Sequence, residues 1–306
     1  MHYQYHMNMM LPFLMATIAA LPLWAAEPLH IVTGNTVVHD LVQQIGGDRV
    51  RSTCLLQPGV DPHGYQPVPE DVKRLAKAQL VVINGLGFEG WFEGLAKESG
   101  YRGTVVVASA TVEPLAMADT DHPPHPGHEH HAAQDPHAYN SLQGGMRYAE
   151  VITDALAKAD PAGAADYRAR GKVYLAELSQ LDAWAKKAIA AIPAGQRKIV
   201  THHDALAYFA RDYGFEIKAP GTALEDSQPS AKDVADLVNF IRAQRVKGVF
   251  LEFAKNDKII SQIADEAQVK IGAGLYLDGT GAPGTPAATY AGMFQVNVEA
   301  IVAALK

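Results

Sequence analysis

The sequence predicts an α/β fold with two lobes, each a mainly parallel sheet flanked by helices, joined by one long helix. Short apolar runs alternate with helical periodicity in both halves of the chain, and one long helical pattern separates the halves. The chain of 306 residues is also longer than one hydrophobic core usually spans. Strands and helices that alternate through short connections indicate parallel sheets with right-handed crossovers.

The first half, residues 26–159, is predicted to form the N-terminal lobe. Its strands are short runs rich in Val and Ile, and its helices have apolar residues at i, i+3 and i+4 spacing. The predicted elements are strand 30–33, helix 37–45, strand 50–56, helix 70–78, strand 80–84, helix 91–99, strand 104–108 and helix 145–158.

A linking helix is predicted over residues 160–192. Asp160 and Pro161 form a start signal, an N-cap acceptor followed by proline at the first helical position, and Pro193 follows the last apolar residue of the pattern. At about 1.5 Å per residue, such a helix is long enough to cross a domain. The residues that recur at helical spacing are Tyr167, Val173, Tyr174, Leu178, Leu181, Ala185, Ile189 and Ile192.

The second half, residues 193–306, repeats the alternation and is predicted to form the C-terminal lobe. Ser230 and Asp233 resemble a capping box at the start of one of its helices. The predicted elements are strand 198–201, helix 205–213, strand 216–219, helix 231–245, strand 248–252, helix 258–267, strand 269–277 and helix 290–305.

The N-terminal segment 1–25 is predicted to be a secretory signal peptide. Residues 9–23 form an apolar run of the length of a signal-peptide core, and cleavage after Ala25 would follow a small residue. Residues 1–8 contain no Lys or Arg, which is unusual for such a segment. The alternative interpretation is an N-terminal buried helix.

The chain contains one cysteine, Cys54, which cannot form an internal disulfide bond. It lies within a predicted strand rather than directly after the apolar run, where a lipid anchor would require it. We therefore interpret Cys54 as a buried strand thiol. An exported chain without a lipid anchor predicts a location in the periplasm.

The charge balance argues against binding to nucleic acid. The formal net charge is −7, and no cluster of Lys and Arg is present that would make contacts to phosphate groups.

A repeated histidine motif predicts a transition-metal site. The pentad at 61–65 reads D-P-H-G-Y and the pentad at 135–139 reads D-P-H-A-Y, so that His63 and His137 have the same local setting. Neutral imidazole is the commonest metal ligand among side chains, and a carboxylate two residues away can fix the imidazole tautomer.

A His-rich loop at 121–134 precedes the second pentad. Its composition of His, Pro, Asp and Gly cannot form a core, so we expect a surface loop that contacts metal weakly and without a single geometry. Its histidines are His122, His125, His128, His130 and His131.

Two further positions provide candidate ligands at the carboxyl ends of predicted strands, where ligands bind in α/β sheets. His202-His203-Asp204 follows strand 198–201, and Asp278 follows strand 269–277. The pattern alone does not choose His203 over His202, or Asp278 over Asp204. With His63 and His137, one imidazole and one carboxylate from these positions would make a tetrahedral N₃O set, which suits Zn²⁺, whereas Mn²⁺ prefers more oxygen ligands.

Taken together, the motifs resemble the zinc/manganese substrate-binding proteins of bacterial ABC importers over essentially the whole mature chain. They are DPHGYQP at 61–67, DPH at 135–137, HDALAYFARDYG at 203–214, QPS at 228–230, FLE at 250–252 and LYLD at 275–278. The resemblance implies two α/β lobes joined by a rigid long helix, with the metal bound in the cleft by His63, His137, His203 and Asp278.

The resemblance also implies that zinc is the transported metal. Manganese-selective members of the family carry a glutamate at the position that matches His203, and the His-rich loop resembles that of the zinc branch. The implied partners are a membrane permease and a periplasmic zinc metallochaperone, and we expect a monomer. Residues 138–141 depart from the family, which more often has a tryptophan and a further acidic residue there.

Two other classes of protein are alternatives to an importer component. A zinc hydrolase would need a general base beside an open metal position, and the sequence contains neither an H-E-x-x-H nor a G-x-S-x-G motif. The second alternative is a zinc-buffering protein or adhesin that keeps the fold and has no transport role.

Overall fold

A computed structural model describes residues 27–117, 134–220, 230–253, 255 and 258–306. The predicted signal peptide and the five loop histidines His122, His125, His128, His130 and His131 lie outside the described residues. Within the described ranges, no helix is both long enough and apolar enough to cross a membrane.

The N-terminal lobe is built on a four-stranded parallel sheet of order β2-β1-β3-β4. Because helices cover it, its central strands are almost wholly apolar and buried, as expected for a parallel sheet. The elements are β1 (Leu29–Thr33), α1 (Thr36–Gly46), β2 (Val50–Cys54), α2 (Pro69–Ala76), β3 (Leu80–Ile83), α3 (Phe92–Ser99), β4 (Thr104–Val107) and α4 (Leu142–Ala159).

The C-terminal lobe repeats this plan with a parallel sheet of order β6-β5-β7-β8. In each lobe the first strand therefore lies between the second and the third. Because the strands are parallel, the connections that follow them start at the same end of the sheet. The elements are β5 (Lys198–Val200), α6 (Ala207–Tyr213), β6 (Glu216–Lys218), α7 (Ala231–Gln244), β7 (Gly248–Glu252), α8 (Lys258–Ala267), β8 (Ile271–Leu275) and α9 (Tyr290–Leu305).

One long helix, α5 (Ala164–Ala190), runs between the lobes, which confirms the predicted fold class. A short 3₁₀ turn, Pro161–Gly163, precedes it, and the Asp160 side chain accepts the backbone N–H of Gly163 as an N-terminal cap. Most of the predicted apolar stripe is buried, but Val173 is 69% exposed and was wrongly included in it.

The lobes are also joined directly by hydrogen bonds on the buried side of the cleft. The backbone N–H of Tyr290 donates to the Asp40 carboxylate at 2.8 Å, and that of Thr280 donates to the Thr36 hydroxyl at 2.9 Å. The Tyr290 hydroxyl donates to the carbonyl of Tyr139 at 2.7 Å. These buried contacts fix the position of one lobe relative to the other in the described state.

Several predicted boundaries differ from the structure by a few residues, and two of these differences have identifiable reasons. Strand β2 ends at Cys54 because the chain then bends toward a turn at Gly59, whose φ of 81° favours glycine. Helix α4 starts at Leu142, capped by the Ser141 side chain, rather than at Gly145. Gly145 lies inside this helix, at a position where the Cβ of any larger residue would overlap the Tyr290 ring.

Cys54 lies in strand β2, as predicted, but it is partly rather than fully buried. Burial raises its pKa to about 12, so the thiol stays protonated and unreactive at neutral pH.

Candidate metal site

The structure brings together three imidazoles and one carboxylate from distant parts of the chain, namely His63, His137, His203 and Asp278. One ligand atom from each lies within 4.8 Å of the others. His63 and His137 belong to the N-terminal lobe and the other two to the C-terminal lobe, so the group lies between the lobes. All four side chains are at least 92% buried, since the most exposed of them, His63, keeps 8%.

Four of the six distances between these ligand atoms are close to the edge of a tetrahedral coordination shell. The Nε2 atoms of His63 and His137 are 3.2 Å apart. Oδ1 of Asp278 lies 3.1, 3.5 and 3.6 Å from Nε2 of His203, His137 and His63 respectively. A tetrahedron with Zn–N and Zn–O bonds near 2.0–2.1 Å has edges of about 3.3 Å. The side chains present therefore fit one tetrahedrally coordinated ion.

The two histidine pentads share a backbone turn and differ in how the imidazole is held. In both, the Asp side chain accepts the backbone N–H of the histidine two residues on, at 3.0 Å for Asp61 and 2.9 Å for Asp135. Asp135 also accepts a hydrogen bond from Nδ1 of His137 at 2.8 Å. This bond places the proton on Nδ1 and leaves Nε2 free to bind metal.

The His63 ring is positioned by packing rather than by a carboxylate. Phe88 meets it edge-on with ring centroids 5.1 Å apart, and the Trp91 indole N–H donates to the carbonyl of Pro62 at 3.0 Å. Nδ1 of His63 is buried and has no hydrogen-bond partner among the described residues. The predicted carboxylate contact to the ring is therefore present in only one of the two pentads.

His203 is held by a carboxylate that the sequence did not assign to the site, Glu252. Nδ1 of His203 donates to Oε2 of Glu252 at 2.6 Å. The other oxygen, Oε1, accepts the backbone N–H groups of His202 and His203 at 2.7 and 3.1 Å. Both oxygens of Glu252 thus accept hydrogen bonds that orient His203, and Glu252 also forms a second close group with His202 and His203.

The structure distinguishes the alternatives that the sequence pattern left open. The ring of His203, not that of His202, faces Asp278, and Asp278, not Asp204, completes the group of four. His202 lies beside Glu252 and His203 without contributing to that group. The metal-binding role of the four residues remains a prediction.

Burial and neighbouring charges shift the pKa values of the four side chains in the metal-free protein. Burial opposes a charge on His203, but the neighbouring Asp278 and Glu252 raise its pKa well above the ordinary value. Burial likewise opposes a charge on His137, and Asp135 with Asp278 raises its pKa. Burial lowers the pKa of His63. Although burial would raise the pKa of Asp278, the coupling with His203 and hydrogen bonds from the imidazoles hold it well below the usual range.

Lys255 also lies beside the site, and no sequence pattern indicated it. Its ammonium donates to Oδ2 of Asp61 at 2.5 Å and lies 3.6 Å from Oδ2 of Asp278. The second distance is an ion pair rather than a hydrogen bond, which agrees with Oδ2 of Asp278 having no hydrogen-bond partner among the described residues.

The residues that depart from the family pattern after the second pentad form the wall of the site. The Asn140 amide donates to the carbonyls of Ala205 and Leu277 at 2.9 and 3.0 Å, and the Tyr139 hydroxyl donates to the same Leu277 carbonyl at 2.9 Å. This wall therefore crosses between the lobes and fixes the backbone just before Asp278.

A known family and known proteins resemble the chain over most of its length. A family model described as zinc-uptake complex component A, periplasmic (ZnuA), matches residues 31–304. The chain is 34% identical over 287 residues to the manganese-binding lipoprotein MntA of Bacillus subtilis (strain 168), covering 92% of this chain and 91% of that protein.

Two solved structures share the fold over almost their whole length. The periplasmic zinc-binding protein TroA from Treponema pallidum is 30% identical with a TM-score of 0.83, covering 92% of this chain and 99% of that one. The Mn-bound periplasmic metal-binding protein from Candidatus Liberibacter asiaticus is 26% identical with a TM-score of 0.80, covering 91% of this chain and 100% of that one.

Proposed function

We propose that this chain, which belongs to the ZnuA family of metal-binding substrate-binding proteins of ABC importers, captures Zn²⁺ between its lobes and delivers it to a membrane permease. Members of this family are transport proteins and not enzymes, so the metal is cargo. The zinc-hydrolase alternative is thereby set aside.

The donor set of the site is the observation that supports zinc. Three imidazole nitrogens and one carboxylate oxygen converge at distances that match the edges of a zinc tetrahedron. Imidazole suits Zn²⁺, whereas Mn²⁺ favours carboxylate, carbonyl and water oxygens. The nearby carboxylates Glu252 and Asp135 hold imidazoles by hydrogen bonds, and this leaves Asp278 as the oxygen donor.

The names of the relatives do not decide the metal, because they include manganese-binding and zinc-binding proteins. The proposal of zinc therefore depends on His203. An oxygen donor at this position would make an N₂O₂ set, which suits manganese better. The imidazole of His203, with its Nδ1 bound to Glu252, presents a nitrogen to the ion instead.

Capture and release follow from the same geometry. Zinc competes with protons for the imidazoles, and the raised pKa values of His203 and His137 favour the protons, so zinc affinity falls as pH falls. Since His63 and Asp278 belong to different lobes, release requires a separation of the ligands from one another. We propose that docking on the permease in the periplasm supplies the energy for this separation.

Growth on limiting zinc tests the proposal. A strain that lacks the chromosomal copy should grow in a zinc-chelating medium when it produces the parent protein, and should fail with His203→Ala. The same plasmid should give no benefit in a strain that lacks the permease. Equal benefit without the permease would indicate a zinc buffer or adhesin, and restored growth only under manganese limitation would contradict zinc as the cargo.

A further inference from the structure

The two oxygens of the Asp278 carboxylate have different surroundings. Oδ1 faces the three imidazole nitrogens, at distances of 3.1 to 3.6 Å. Oδ2 is buried, has no hydrogen-bond partner among the described residues, and has the ammonium of Lys255 at 3.6 Å. A carboxylate can bind a metal through one oxygen or through both, so the environment of Oδ2 bears on the coordination number.

The ammonium of Lys255 is fixed in place by a second carboxylate. It donates to Oδ2 of Asp61 at 2.5 Å, and its side chain is only 11% exposed. Oδ1 of Asp61 is in turn occupied by the backbone N–H of His63. Lys255 thus forms an ionic link between Asp61, in the loop that carries His63, and Asp278 in the opposite lobe.

A fixed positive charge beside Oδ2 has two physical effects on a metal ion in the group of four. It competes with the ion for the electron density of Oδ2, and it repels a cation that moves toward that oxygen. Both effects favour coordination through Oδ1 alone. Four donors in a tetrahedron suit Zn²⁺. An ion that prefers more oxygen ligands, such as Mn²⁺, would instead need Oδ2 as an additional donor, and the ammonium opposes this.

We propose that Lys255 is a specificity-determining residue, which holds Asp278 to one-oxygen coordination and so favours zinc over manganese. The inference rests on the proposed function, because it takes the four residues to be the metal ligands. Lys255 acts through Asp278 and does not contact the ion.

The test measures zinc and manganese affinities of the full mature protein by competition with chelators. The variant Lys255→Met keeps the aliphatic stem and removes the charge, and we expect the ratio of zinc to manganese affinity to fall by about tenfold or more. Lys255→Gln, which also removes the charge but keeps a polar end, should shift the ratio in the same direction. Lys270→Met removes an equal charge from an exposed position of the same lobe and should leave the ratio unchanged.

Substitution with Co²⁺ provides a readout that general destabilisation does not change. Four-coordinate Co²⁺ absorbs visible light more strongly than five- or six-coordinate Co²⁺, so Lys255→Met should weaken the visible bands relative to the parent. An unchanged affinity ratio with an unchanged Co²⁺ spectrum in both Lys255→Met and Lys255→Gln would contradict the inference. If Lys255→Met does not fold, Lys255→Gln decides by the same two readouts. Failure of the parent itself to bind zinc would instead contradict the proposed function.

Discussion

Nε2 of His203 lies 3.1 Å from Oδ1 of Asp278, although the two residues are 75 positions apart in the sequence. They follow strands β5 and β8, which lie on either side of β7 in the second sheet. The parallel arrangement brings the carboxyl ends of these strands to one edge, where the N-terminal lobe adds His63 and His137.

Removal of the charge behind His203 should weaken zinc binding without removing a ligand. In Glu252→Gln the side chain keeps its size, but a neutral amide oxygen accepts the hydrogen bond from Nδ1 of His203 more weakly than a carboxylate does. Loss of such a partner typically costs about 10- to 100-fold in metal affinity. Competition with a chelator measures this, and Glu299→Gln, an exposed change on the same lobe, is the control. An affinity equal to that of the parent would show that Glu252 does not orient the ligand.

The effect of zinc on thermal stability should grow as the pH rises above about 6.5, the ordinary histidine value. The pKa values of His203 and His137 are raised in the folded metal-free protein. Protonation of these two imidazoles therefore stabilises the fold fully at a pH below the histidine pKa of the unfolded chain. This stabilisation is lost as the pH rises through the pKa values of the folded protein. The affinity for zinc instead rises with pH, because it is the deprotonated imidazole that binds the ion. Melting curves with and without zinc between pH 6.5 and pH 9 measure the difference, and a constant shift in Tm would contradict the assignment.

Deletion of residues 121–133 should remove weak zinc binding and leave the tight site intact. The deleted histidines number five, and none belongs to the group of four ligands. Isothermal titration should therefore show the loss of the weaker binding events alone. A large loss of affinity at the tight site would show that the loop supplies a ligand to it. Unchanged zinc uptake and an unchanged transfer rate in the deletion would argue against a role in collecting or handing over metal.

Substitution of Gly145 should destabilise the contact between the lobes. An added Cβ would lie 1.9 Å from the hydroxyl oxygen of Tyr290, which must then move and give up its hydrogen bonds. We expect Gly145→Ala to lower the free energy of unfolding by about 1–3 kcal/mol. Gly94→Ala is the matched control, because Gly94 is also helical but has open space at its Cβ, and alanine there should stabilise by about 1 kcal/mol. Denaturant unfolding compares the two, and equal effects would contradict the packing argument.

The fold and much of the candidate site could be predicted from local sequence patterns. Alternating strand and helix patterns gave the two parallel sheets, and the repeated pentads pointed to His63 and His137. Glu252 could have been found as well, because it ends a predicted strand that lies beside the one before His203 in the sheet.

Other features depend on tertiary packing that local patterns do not encode. The two pentads are alike in sequence, yet only Asp135 contacts the ring of its histidine, because the His63 ring is turned by its packing against Phe88. Lys255 follows a strand without any periodic pattern, and its position depends on the approach of Asp61 from the other lobe. The choice of His203 over His202 likewise depends on which ring the chain directs toward Asp278.

The most direct test of the account is a zinc titration of metal-free mature protein against a competing chelator, in parallel with His203→Ala. We expect one tight site in the parent and a loss of more than about 100-fold in affinity in the variant, since one of four ligands is removed. Circular dichroism checks that the variant remains folded. If folded His203→Ala binds zinc as tightly as the parent, the ligand set is wrong, and so is the zinc site built on it.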